Sequence, residues 1–214
     1  MNAIDSVPDQ LESVKFKFDV CQRVAGSAVF EMQNSKAVCS IKGPFPRTGF
    51  TKEQSHPEML KINIQIPTYS NTDTDVAQLH YFVKHTFESI IVADKYDSMF
   101  LEIDVIVLEG DDYLRSVVLN VVSLALVHAN VSMRDLVFSA TEKVNFEREG
   151  QMEKCAITLA FTSANLLVLQ YWVDGKIPVH ELTKTDIIVR TIRKAEPLVE
   201  RLRLAVRSKV FVEQ

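Results

Sequence analysis

The chain has 214 residues, a formal net charge of -4, 47% hydrophobic and 24% charged residues. It is long enough for a well-buried core and too apolar for a disordered chain. An acidic balance excludes a protein that is basic throughout, so any nucleic-acid contact must come from a local patch.

Residues 1–12 carry Asp5, Asp9 and Glu12 without the apolar run of a signal peptide, and read as a flexible tail before a domain spanning 13–214. Ser27 to Gln33 alternates as a strand does, Asn34-Ser35 turns the chain, and Lys36 to Lys42 reads as the second arm. Gly43-Pro44 is expected to stop it, with Pro46, Thr48 and Gly49 keeping a loop. From Leu60 to Ile66 the isoleucines and Leu60 take one face and Lys61, Asn63 and Gln65 the other, which predicts a half-buried strand. Asp73 or Asp75 can cap a helix whose apolar positions run from Val76 to Ile91 at helical spacing.

Phe100 to Leu108 reads as a strand, and Asp111 to about Ala129 as a helix apolar nearly all round, which predicts cover on more than one side. Met133 to Ala140, Cys155 to Phe161 and Asn165 to Trp172 read as strands, with Asp174-Gly175 as a turn. A last helix is expected from Lys184 to Lys209, stepped at Pro197. The order ββ, βα, βα, βββ, α indicates an α+β fold, mixed sheets packed against helices in a βαβα-type arrangement.

Cys21, Cys39 and Cys155 include no CxxC pair, and no His stands at metal-ligand spacing. They read as buried thiols of a reducing compartment, with no metal and no cofactor expected. The apolar run Val117 to Val127 is broken by Asn120 and Ser123 and is too short to span a bilayer. A soluble intracellular protein without a membrane partner is the expectation.

Two blocks carry a family resemblance. The stretch Gly26-Ser27-Ala28 through Ser35-Lys36 to Gly43-Pro44 resembles the GSA hairpin of the RNase PH superfamily. The stretch Leu101 to Val137 is similar to the strand–helix–strand of that family, from LEIDVIVLEGDD to LNVVSLALVHANVSMRDLV. The resemblance implies an RNase PH-like fold, and its nearest branch is the set of subunits forming the core ring of the eukaryotic RNA exosome.

Active members of the family cleave RNA from its 3′ end with phosphate as nucleophile, which calls for cations around the phosphate and an acid near the scissile bond. The family's phosphate-binding turn aligns with Gly110-Asp111-Asp112-Tyr113-Leu114-Arg115-Ser116. Arg115 and Ser116 are kept, but Asp112-Tyr113 replaces a Gly-Gly, and a screened carboxylate beside phosphate costs about 1 kcal/mol. Tyr96-Asp97-Ser98 lacks the Arg of the family's YPR motif, and of the acidic pair only Glu153 has a match.

These departures imply a subunit without catalytic residues that helps form the ring's RNA channel and supports RNA processing and degradation. Its implied partners are other RNase PH-like subunits in a hetero-oligomeric ring, S1/KH-type cap proteins, a hydrolytic nuclease and RNA. The implied location is nucleus, nucleolus and cytoplasm. Candidate RNA or phosphate contacts are Arg115, Ser116, Arg47, Lys52 and Lys95, as Lys and Arg meet phosphate without sequence preference. Two alternatives stay open: an active phosphate-dependent 3′–5′ exoribonuclease working at a subunit interface, and a generic α+β interaction module.

Overall fold

The computed structural model describes residues 14–47, 58–67, 75–148, 151–175, 177 and 186–212. Its strands are β1 (Lys15–Phe18), β2 (Gly26–Met32), β3 (Ser35–Pro46), β4 (Leu60–Gln65), β5 (Met99–Glu109), β6 (Val137–Arg148), β7 (Gln151–Thr162) and β8 (Val168–Asp174). Its helices are α1 (Val76–Ile90), α2 (Leu114–His128) and α3 (Asp186–Val212). The strands form a five-stranded sheet in the order β1-β2-β3-β5-β4 and a three-stranded sheet in the order β6-β7-β8.

The first sheet follows from strict alternation. Leu60, Ile62 and Ile64 of β4 lie beside Leu101, Ile103 and Val105 of β5 in a parallel pair joined through α1. These apolar side chains point inward, while the outer face carries Lys42 opposite Glu102 and Glu102 opposite Lys61. Opposite charges on neighbouring strands suit a wet face, and Lys61 Nζ lies 2.7 Å from Glu102 Oε1.

Helix α2 is the middle layer. Every residue from Leu114 to Leu126 is buried, because the first sheet covers one side of the helix and β6 and β7 the other. The all-round apolar pattern thus has the double cover it predicts. Gly26 opens β2 where the strand crosses the end of α2. A Cβ there would stand 2.3 Å from the Ala129 nitrogen, so only glycine fits.

The three-stranded sheet faces α1 and α2 with polar groups. Asn120 Nδ2 donates to Ser139 O at 3.0 Å and Asn120 Oδ1 accepts from Ser139 N at 2.9 Å. Thr141 and Thr158 hydroxyls meet at 2.9 Å, and Thr86 Oγ1 donates to Gln170 Oε1 at 2.8 Å. On the opposite face α3 packs over Ala140 and Glu142 with Thr191, Lys194, Ala195 and Leu198. Glu142 lies 2.7 Å from Lys194 Nζ and 3.2 Å from Arg190 Nη2.

Several expectations shift. The four-residue β1 escaped notice because Lys-Phe-Lys-Phe is too short to establish a period. β3 passes Gly43-Pro44 to Pro46 through a register shift between Lys42 and Phe45, so the pair makes a bulge rather than a stop. Met133 forms only an isolated bridge to Ile91, and the strand begins at Val137. β6 and β7 pair from Val137–Thr162 out to Arg148–Gln151, well beyond their expected ends. Asp75 caps α1, accepting from Ala77 N at 2.9 Å, whereas Asp73 lies outside the described residues. α3 continues through Pro197 without a break. Cys39 and Cys155 are buried and Cys21 is partly exposed. β4 and β8 both lie at sheet edges.

Candidate functional site

The turn from β5 into α2 is fixed by Ser35 at the start of β3. Ser35 Oγ accepts from Asp111 N at 3.0 Å and donates to the Asp111 carboxylate. Asp111 Oδ1 also accepts from Tyr113 N at 2.8 Å, so an acidic side chain already satisfies an N–H at the helix opening. Ser116 is fully buried, and its Oγ donates to Tyr113 O at 2.8 Å.

Arg115 points from the first turn of α2 toward the three-stranded sheet. Its side chain is 10% exposed and its Nη1 donates to Asp174 Oδ2 at the end of β8. The guanidinium carbon stands 5.0 Å from the centre of the Trp172 ring, and Trp172 Nε1 donates to Asp174 Oδ1 at 3.0 Å. Burial pushes the Arg115 pKa below its ordinary value, while Asp174 pushes it back up. The result is a trio in which the buried, planar guanidinium is stacked on Trp172 and paired with a partly exposed Asp174 at once.

An open cleft of about 520 Å³ lies beside this trio, lined by Asp112, Lys143, Lys154, Cys155, Asp174 and Gly175 among others. Lys143 Nζ is 2.7 Å from Asp112 Oδ2 and 4.9 Å from the Tyr113 ring centre. The hydrogen bond to Asp112 holds the Lys143 pKa above its usual value, and burial raises that of Tyr113. No cluster of three or more His, Cys, Asp or Glu suited to a metal ion occurs among the described residues.

The candidate cations do not converge. Arg115 and Ser116 follow the C-terminal end of β5, whereas Arg47 and Lys95 lie at its N-terminal end, where Arg47 N donates to Ser98 O at 3.0 Å. Ten steps along a strand separate the two ends by about 33 Å. Arg47 Nε is buried without a hydrogen-bond partner among the described residues. Lys95 is exposed and donates to Ser132 Oγ at 3.0 Å. Beside it, the Tyr96 hydroxyl accepts from Ser132 N at 2.8 Å. Lys52 lies outside the described residues. Glu153 stands on β7 opposite Phe146.

Sequence reasoning found Arg115 and missed what holds it. Asp174 was legible only as half of a turn, and Trp172 only as a strand residue. Their contact with Arg115 joins positions 59 residues apart, and nothing local in the sequence signals it.

Comparison with known proteins places this geometry in a family. The model of the 3′ exoribonuclease family, domain 1 (RNase PH), matches residues 10–132, more than half of the chain. The exosome complex component Rrp41 of Pyrobaculum aerophilum is 28% identical over 141 residues, 61% of this chain and 56% of that protein. The Rrp41 homolog of Arabidopsis thaliana is 26% identical over 62% of this chain and 58% of its own length. The exosome complex component ski6 of Schizosaccharomyces pombe is 24% identical over the same shares, 62% and 58%. The chain therefore spans somewhat over half the length of the curated relatives it matches. The crystal structure of rice Rrp46 superposes with a TM-score of 0.69 over 92% of this chain and 93% of that one, at 14% identity, which is a likeness of fold. With the match running from the tail through β1–β5 and the whole of α2, the chain belongs to the 3′ exoribonuclease (RNase PH) family.

Proposed function

We propose that this protein is a non-catalytic subunit of an exosome-type ring, where it helps form the RNA channel and supports 3′–5′ RNA processing and degradation by other subunits. The carrying observation is the state of Arg115. The one arginine that the sequence keeps at the helix opening is buried, stacked on Trp172 and neutralised by Asp174. A phosphate nucleophile bound there would have to displace an internal carboxylate. Asp111 and Asp112 add negative charge at the same turn, which opposes anion binding further. Relatives named exosome complex components support the assembly role. Other RNase PH-like subunits, S1/KH-type caps, a hydrolytic nuclease and RNA are its proposed partners, in nucleus, nucleolus and cytoplasm.

A second reading, an active phosphate-dependent exoribonuclease at a subunit interface, draws on the open cleft and on Lys143 and Lys154 at its wall. One experiment separates the two. The assembly is purified gently, its composition read by native mass spectrometry, and its RNA products assayed in phosphate buffer. The scaffold reading expects a hetero-oligomer of RNase PH-like chains in which variants of Arg115 leave nucleoside diphosphate release unchanged. Release abolished by Arg115→Met would establish the enzyme, and a free monomer would remove the ring.

A further inference from the structure

Helix α3 is the basic element of an acidic chain. It carries seven Arg and Lys against three Asp and Glu, whereas the whole protein has a net charge of -4. Arg190, Lys194 and Arg201 stand four and seven residues apart, which sets them in one row along the helix, with Arg193 beside it. All four are exposed. Acids near the row are fewer. Asp186 stands one turn before Arg190, Glu196 is two residues from Lys194 and so on the far side, and Glu200 pairs with Arg203. Beneath the row a single oxygen, Glu142 Oε1, serves both Arg190 at 3.2 Å and Lys194 at 2.7 Å. Among the described residues the row keeps an excess of positive charge.

Residues 1–13 lie outside the described residues, and they join the fold at this flank. Val14 is 1% exposed and lines the small cavity under α3 with Lys194, Ala195 and Leu198. The thirteen residues before it carry Asp5, Asp9 and Glu12 and no basic side chain, interleaved with Ile4, Val7 and Leu11. Fully extended they reach roughly 43 Å, and the row from Arg190 to Arg201 rises only about 16 Å. Leu204, three residues past Arg201 and 62% exposed, adds an apolar contact near the end of the row. An exposed ion pair is weak alone, but a tether anchored beside the row supplies three carboxylates at high local concentration.

We propose that residues 1–13 dock along the Arg190–Lys194–Arg201 row of α3 and screen it from polyanions, nucleic-acid backbones included. The row is then an internal docking surface whose occupant is the chain's own acidic segment, held by charge and released by salt.

Amide exchange of the full chain tests this without any substitution. In about 20 mM salt the amides of residues 1–13 are expected to exchange about tenfold slower than in a peptide of that sequence. The protection should vanish in about 0.5 M salt. Arg193→Glu with Arg201→Glu should abolish it, and Asp5→Lys, Asp9→Lys and Glu12→Lys together should restore it in that background. Asp5→Asn, Asp9→Asn and Glu12→Gln in one chain uncover the row. That variant should bind polyuridylate about tenfold more tightly, with a log–log salt slope steeper by about 2.

Exchange at the free-peptide rate in low salt overturns the proposal, as does protection that salt leaves untouched. Protection that rises with protein concentration would assign the row to a second copy of the chain and overturn it too. Equal polyuridylate binding by the unmodified chain and the neutral variant would make the row an open RNA surface, against the proposal. Should the charge-reversed chain fail to fold, the salt titration of the unmodified protein and the polyuridylate comparison still decide.

Discussion

The five-stranded sheet buries one face and leaves the other to water, whereas the three-stranded sheet has helices against both faces. Helices α1 and α2 lie on one and α3 on the other, and the sheet is open at the cleft and along β8. Against α2 the first sheet presents mainly apolar side chains, such as Phe30, Cys39, Ile103 and Val105, with Ser35 at the helix opening the polar exception. The second presents Gln170 to α1, Ser139 and Asp174 to α2, and Thr141 to β7 through specific hydrogen bonds. An apolar contact is non-directional and tolerates sliding, while a polar one holds only in a single register. The first interface therefore supplies most of the burial, and the second fixes how α2 is rotated and how far along its axis it sits.

This contrast can be broken most sharply at Asn120. Asn120→Leu removes both partners of the Ser139 backbone and leaves a buried N–H and C=O unpaired. A loss of about 3 kcal/mol is expected in urea unfolding, and a loss under 1 kcal/mol would refute the polar register. Glu142→Gln tests the outer cover of the same sheet. Removing a buried partner usually costs roughly 3–5 kcal/mol. Arg190 and Lys194 are 49% and 40% exposed and keep access to water, so about 2 kcal/mol is expected. Faster amide exchange along α3 should accompany it.

A finer test is a double-mutant cycle on the hydroxyl pair. Thr141→Val or Thr158→Val alone leaves one buried hydroxyl unpaired and should cost about 1 kcal/mol, with the double variant costing less than the sum. Additive costs would mean the 2.9 Å contact is incidental. The smallest effect belongs to the wet face of the first sheet. Lys61→Ala breaks an ion pair in which the lysine is 69% exposed and should change stability by less than about 0.5 kcal/mol.

The same contrast explains what the sequence could and could not reveal. Lys61, Asn63 and Gln65 against Ile62 and Ile64 made β4 readable, because one wet and one dry face write a period of two. In β7, Ile157, Thr158, Leu159 and Ala160 are all buried, so Cys155 to Phe161 reads correctly as a strand but without the alternation that would mark its ends. In its partner β6, Glu142 and Lys143 broke the apolar pattern and hid the strand's outer half. Double burial also made α2 legible as a fully apolar helix. At the site, Arg115 and Ser116 could be picked out by resemblance, but the state of Arg115 depended on β8. A resemblance marks a position in the chain, and the charge that neutralises it arrives only with the tertiary fold.

The middle-layer placement of α2 bears on how the chain is made. A ribosome finishes β1–β5 and α2 before it begins β6, so one flank of the helix, including Asn120, has no cover while the second sheet is still being synthesised. The family match itself ends at residue 132, just past α2. A fragment cut there would carry a complete first sheet and a bare apolar flank, a surface that chaperones bind and that aggregates when they do not. For this protein the end of that match is not a border of autonomous folding, and anyone dividing the chain for expression should cut elsewhere.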